Sequence, residues 1–117
     1  PQDWLAIINE FGGDMGETYG VPVEEIQEGI KHGVRKVNID TDLRMASTGA
    51  IRRYMHQNPS AFDPRKYLKE ATKAMNEICV ARYESFGTAG NASKIKALDL
   101  EDMVKRYDSS ELDPTVN

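Results

Sequence analysis

Val34-Arg35-Lys36-Val37-Asn38-Ile39-Asp40-Thr41-Asp42-Leu43-Arg44 is the stretch that decides the fold. Val37 and Ile39 point to one face, and Lys36, Asn38 and Asp40 to the other, which is the side-chain period of a β-strand. A strand is therefore predicted over 34–39. Asp40-Thr41-Asp42 follows, three residues suited to a helix N-terminus. Leu43, Ala46, Ala50, Ile51, Tyr54 and Met55 give the next helix its buried face, and it is predicted to end before Asn58-Pro59. On the other side, Pro22 opens a helix with Glu24 and Glu25 at its positive end and Val23, Ile26 and Ile30 as its stripe. Lys31 and His32 occupy its last turn and Gly33 closes it. Helix, glycine, strand, helix is an α/β unit, and in such units the ligand sits beyond the C-terminal end of the strand.

Farther out, every remaining element reads as helix or loop. Residues 1–11 are predicted helical, with Pro1 in the first turn, Leu5, Ile8 and Phe11 at helical spacing, and Gly12-Gly13 as the stop. Residues 14–20 are a loop. Asp63-Pro64 opens the longest helix, to about Phe86, with Leu68, Ala71, Met75, Ile78, Cys79 and Phe86 as its stripe. A loop around Gly87 and Gly90 leads to a last helix over 99–107 and a polar tail over 108–117. The order has a single strand, which cannot satisfy its own backbone donors and acceptors. Strand 34–39 is therefore expected to need neighbours that the chain does not contain, and the chain, which starts at Pro1, to be a piece of something longer.

The 117 residues allow one small domain. A complete (β/α)8 barrel typically takes roughly 250 residues. With 39% hydrophobic and 29% charged residues the chain is neither a disordered tail nor a membrane protein. No apolar run approaches the ~18 residues of a membrane span, and no secretory signal is visible. Net charge −4 and a pI of 5.2 argue against nucleic acid and anionic lipid as partners. One cysteine excludes an internal disulfide and fits a cytoplasmic location.

Asn38 and Asp40 project together at the strand end, and Thr41 with the N–H groups of 41–43 stands at a helix N-terminus, a place that favours phosphate. Arg44, one turn on, could bind a second anionic group. The plainer reading, that Asp40 and Thr41 merely cap the helix, stands beside it.

The run from Glu25 to Arg44 closely resembles the C-terminal part of class II fructose-1,6-bisphosphate aldolases. Pro1-Gln-Asp-Trp4, Tyr19-Gly-Val-Pro22, Asp63-Pro-Arg65 and the Phe86-to-Lys94 loop extend that resemblance over nearly the whole chain. It implies an α/β fold: the C-terminal portion of a (β/α)8 barrel in a mostly α-helical piece. Residues 1–117 would form part of one barrel domain, with 34–39 as the last strand and 63–117 as a C-terminal helical extension. The implied activity is reversible aldol cleavage of fructose 1,6-bisphosphate to dihydroxyacetone phosphate and glyceraldehyde 3-phosphate, in glycolysis, gluconeogenesis or the Calvin cycle. The implied cofactor is Zn2+, acting as a Lewis acid.

The resemblance also implies substrate-binding roles. Asn38 would hydrogen-bond the dihydroxyacetone portion near the enediolate, and Asp40 and Thr41 would hold the dihydroxyacetone phosphate end, with the phosphate at the helix N-terminus and Ile39 contributing backbone. Arg44 looks like an arginine that grips the distal phosphate in one subgroup. Arg65 looks like one that reaches the distal phosphate from a neighbouring subunit, with Asp63 orienting it, which implies a homodimer or homotetramer. Related tagatose-bisphosphate aldolases usually have Ala at the position of Asp40, so Asp40 favours the fructose substrate over tagatose; sedoheptulose bisphosphate stays open. No catalytic residue and no metal ligand is expected in this chain. The zinc histidines, the proton-shuttling aspartate and the rest of the barrel would lie upstream, and the piece would be inactive and poorly folded alone.

The remaining residues read plainly. His32 suits the negative end of its helix and His56 is solvated. Cys79 is a buried free thiol on the apolar stripe. A reading from another class is a catalytically dead helical module that binds a partner through helix 63–86. The intact set Asn38, Asp40, Thr41, Arg44 and Arg65 speaks against it, since such a module has no need of a phosphate site.

Overall fold

The structure, a computed structural model, describes residues 3–18 and 20–113. The expectations placed on Pro1, Tyr19 and residues 114–117 lie outside those residues. Among the described residues five α-helices follow one another: α1 (Trp4–Glu10), α2 (Val23–Lys31), α3 (Thr41–Gln57), α4 (Pro64–Ser85) and α5 (Leu100–Asp108). A single 3₁₀ turn, Ala92–Lys94, sits in the loop before α5. No described helix is long and apolar enough to cross a membrane.

The main correction concerns 34–39. This stretch is irregular, and no strand occurs among the described residues. The physical reason is the one that made a solitary strand implausible: a strand is defined by ladder hydrogen bonds, and no second segment pairs with this one. Its alternation survives without the ladder. Val37 and Ile39 are half-buried, while Lys36, Asn38 and Asp40 are exposed.

Helix boundaries follow local chemistry. The Asp3 carboxylate accepts from the Ala6 N–H at 3.2 Å, so α1 starts at Trp4, later than expected from Pro1. Gly12, at φ +84°, ends it, and the Gly13 N–H donates to the Ile8 carbonyl at 2.8 Å. Asp63 caps α4 through the Arg65 N–H at 3.0 Å, with Pro64 in the first turn. Asp99 caps α5.

Packing joins α1 to α3 and α3 to α4. Trp4, Ala46, Ala50 and Ala74 form the core, with Ile7, Met45 and Ile78 against it, and Ile8 is 1% exposed. The facing residues are mostly alanines, so the helices approach closely. Gly49 is the extreme case: a Cβ there would stand 2.8 Å from Trp4 Cε3. The alanine faces match the expected stripes, but Met55 and Leu68 are exposed, and Cys79 is half-buried rather than buried. Leu68 and Cys79 lie on the flank of the α4 face that carries Ala71 and Ala74, and Met55 lies on the side of α3 opposite Ala46.

α2 stands apart from this packing. Gln27 Nε2 donates to the Ser85 carbonyl at 2.8 Å, and Asp42 at the start of α3 pairs with Arg82 at 2.7 Å. The last turn and a half of α4 therefore holds both helices that flank 34–40.

Candidate functional site

The irregular stretch and the first turn of α3 line one side of an open cleft of about 720 Å³. Asn38, Ile39, Asp40 and Thr41 are brought together there, opposite the start of α2. The N–H groups in the first turn of a helix have no intrahelical acceptors. The ladder of α3 starts with the Arg44 N–H donating to the Asp40 carbonyl at 3.0 Å. The Asp40 carboxylate does not cap the helix. It accepts instead from Arg44 Nε at 2.8 Å. Capping therefore does not account for this aspartate, and the helix end keeps its capacity for an external anion.

Arg44 thus stands beside the site without lining the cleft. Its pair with Asp40 is exposed on both sides, 77% and 66%, and such pairs contribute little to stability and exchange easily. Arg65 is not brought to the cleft. It opens α4, while Arg82 near the other end of that helix lines the cleft. Seventeen residues of helix at ~1.5 Å each put about 26 Å between the two along the axis, beyond a side chain's reach. Asp63 holds the Arg65 guanidinium by two near-parallel bonds: Nη2 to Oδ2 at 2.7 Å and Nε to Oδ1 at 3.0 Å. That guanidinium, together with the Arg65 N–H, holds the Asp63 carboxyl below the usual carboxylate range.

Two neighbours belong to the site that the sequence reading left without a role. Lys36 lines the cleft and its ammonium donates to Asn38 Oδ1. The alternation that put Lys36 on the face of Asn38 and Asp40 was its signal. Arg82 also lines the cleft and pairs with Asp42. Nothing local could have indicated it, since the partners are 40 residues apart.

Behind the stretch, Ile30, Val37, Ile39, Leu43, Cys79 and Phe86 line an apolar groove of about 440 Å³. Val37 and Ile39 reach it; Lys36, Asn38 and Asp40 do not. The residues present do not fit a zinc ion. No group of three His, Cys, Asp or Glu able to hold a metal occurs among the described residues. His32 is engaged with Glu28 at 3.0 Å, and His56 packs on Phe11 at 5.1 Å between ring centres. Lys31, and then His32, hold the Glu28 carboxyl below its usual range.

Comparison with known proteins adds a family. The family described as "Fructose-bisphosphate aldolase class-II" matches residues 16–91. The chain is 74% identical over all 117 residues to a fructose-bisphosphate aldolase of Pseudomonas aeruginosa, and 57% identical to that of Xanthobacter flavus. Each match covers 33% of the relative. The chain thus spans about a third of the length of these curated relatives. It is also 63% identical over 111 residues to a protein named fructose-bisphosphate aldolase 2 from Rhodobacter capsulatus, a match covering 95% of this chain and 97% of that sequence.

Proposed function

Because this chain belongs to the class II fructose-bisphosphate aldolases, we propose that it supplies part of the substrate site for reversible cleavage of fructose 1,6-bisphosphate. The observation that carries the proposal is the convergence of Asn38, Ile39, Asp40 and Thr41 on one cleft at the uncapped start of α3. The phosphate of the dihydroxyacetone portion sits at that helix end, on the Thr41 hydroxyl and first-turn N–H groups. The Asn38 amide addresses the adjacent oxygens, with Lys36 occupying its Oδ1 and leaving its NH2 group to donate. Asp40 receives a sugar hydroxyl, and Arg44 is released from Asp40 toward the distal phosphate.

Arg65 serves the distal phosphate of a neighbouring subunit. Its distance of about 26 Å from the cleft end of its own helix supports that arrangement, and its two bonds to Asp63 orient the guanidinium. The enzyme is then at least a dimer. The zinc that the family uses as a Lewis acid would be held by residues other than those of this chain. Residues 34–39 take their place as the last barrel strand once neighbouring strands supply a ladder. Their alternation, with Val37 and Ile39 toward an apolar groove, suits that role. Residues 1–117 then belong to one barrel domain, with 63–117 as a helical extension.

Arg65→Ala in the complete enzyme tests the assignment. Losing a charge-assisted phosphate contact should lower kcat/KM for fructose 1,6-bisphosphate by about 10- to 100-fold. Proton exchange on dihydroxyacetone phosphate, which lacks the distal phosphate, should stay near wild type. Asp40→Ala should reduce both. Equal losses from Arg65→Ala in the two reactions would refute its role.

A further inference from the structure

Arg82 and Asp42 come from different helices, and Arg82 Nη2 donates to Asp42 Oδ2 at 2.7 Å. The arginine is the more enclosed partner, 21% exposed against 45% for the aspartate. Both line the cleft that holds Asn38 to Thr41. Asp42 lies in the first turn of α3, next to Thr41, where the helix end attracts anions. An uncompensated carboxylate there would compete for the helix end and repel an incoming phosphate. Of the other charges of the cleft, Asp40 pairs with Arg44 at 2.8 Å before substrate binds and takes a sugar hydroxyl once Arg44 leaves, and Glu25 and Lys36 on the walls are of opposite sign.

We propose that Arg82 is a positioning residue for the substrate phosphate. By pairing with Asp42 it cancels the carboxylate beside the α3 N-terminus and leaves that terminus able to take a phosphate dianion. The inference rests on the reading above that the phosphate sits at the start of α3.

The same pair also braces α3 against α4, and the two roles separate by sign. If Arg82 acts through the Asp42 charge, removing the arginine is harmful, removing the carboxylate is not, and removing both restores binding. If the pair is only a brace, the two single variants are equally harmful. The test is steady-state kinetics of the complete enzyme with fructose 1,6-bisphosphate. Arg82→Met should raise KM by about five- to tenfold, a penalty that shrinks as ionic strength rises. Asp42→Asn should leave KM within about twofold, and the double variant should return it to that range. Equal rises in the two single variants, or no change in Arg82→Met, overturn the proposal. Thr41→Val and Asp40→Ala run in parallel: if neither weakens substrate use, the site reading itself fails, whatever the pattern at 82 and 42. Should Arg82→Met fail to fold by circular dichroism, Arg82→Gln replaces it, and the Asp42→Asn result still decides between charge and brace.

Discussion

Between α1, α3 and α4 the contacts are short and the side chains small, and Gly49 lets the Trp4 ring lie against the backbone of α3. Across residues 20–40 no described residue is buried, although Val21, Val23, Ile26, Ile30, Val34, Val37 and Ile39 are all apolar. The first region supplies its own partners: α3 and α4 are joined by a short loop, and α1 packs on α3 across the intervening residues 11–40. The second carries those apolar side chains with nothing of its own that buries them. The whole chain has a radius of gyration of 19.6 Å, against about 13 Å for a compact domain of this size. The difference teaches that stability and chemistry are divided here. The packed helices hold the frame, and the candidate site is on the region that the frame only tethers.

The contrast can be broken most directly at Gly49. Gly49→Val would drive its Cβ toward Trp4 Cε3, where only 2.8 Å is available. Overpacking of this kind typically costs about 1–3 kcal/mol. Thermal unfolding of the complete enzyme should show the loss, with faster amide exchange in α1. An unchanged melting temperature would mean that the α1–α3 contact is not tight.

A smaller effect is expected on the tethered side. Gln27→Ala removes the bond to the Ser85 carbonyl, worth roughly 0.5–1.5 kcal/mol. Hydrogen exchange should quicken in α2 and 34–40 and stay unchanged in α1, α3 and α4. Loss of protection across all five helices would show that the two regions unfold as one unit.

The smallest effect concerns acid stability at the start of α4. Asp63 has its carboxyl lowered, first by the Arg65 guanidinium and then by the Arg65 N–H. A carboxyl lowered in the folded state contributes stability that is present above the ordinary carboxylate pKa of about 3.9. That contribution is lost as pH falls through the lowered value. Asp63→Asn should therefore leave the pH dependence of unfolding unaltered between about pH 5 and 8 and flatten its acid limb below about pH 4. An altered slope near neutrality would assign that limb to another group.

Helices were legible because each carried its own start and stop. Asp63-Pro64 and Asp99 are caps that act within three residues, and Gly12 and Gly33 supply positive φ where α1 and α2 end. The 3₁₀ turn at Ala92–Lys94 was not legible, since a Gly-rich loop contains no periodicity to betray one short turn. Cys79 and Leu68 differ from expectation for a related reason: a stripe says roughly which way a residue faces and not how far the neighbouring helix reaches. Of the candidate site, Asn38 to Thr41 could be read as one cluster from alternation and cap chemistry. The partner of Asp40 could be read only in part, because Arg44 at one helical turn competes with the cap for the same carboxylate.

By itself the sequence determined the five helices, the alternating face of 36–40 and the helix terminus that follows it, because caps, glycines and periodicity act over a few residues. It also carried the family, through motifs held in order along the chain. Tertiary structure alone decided whether 34–39 becomes a strand, because a ladder needs a second segment. It alone brought Arg82 to Asp42 and Gln27 to Ser85. Those partners are 40 and 58 residues apart, and distances of that kind are set by how helices pack and not by what any of them contains.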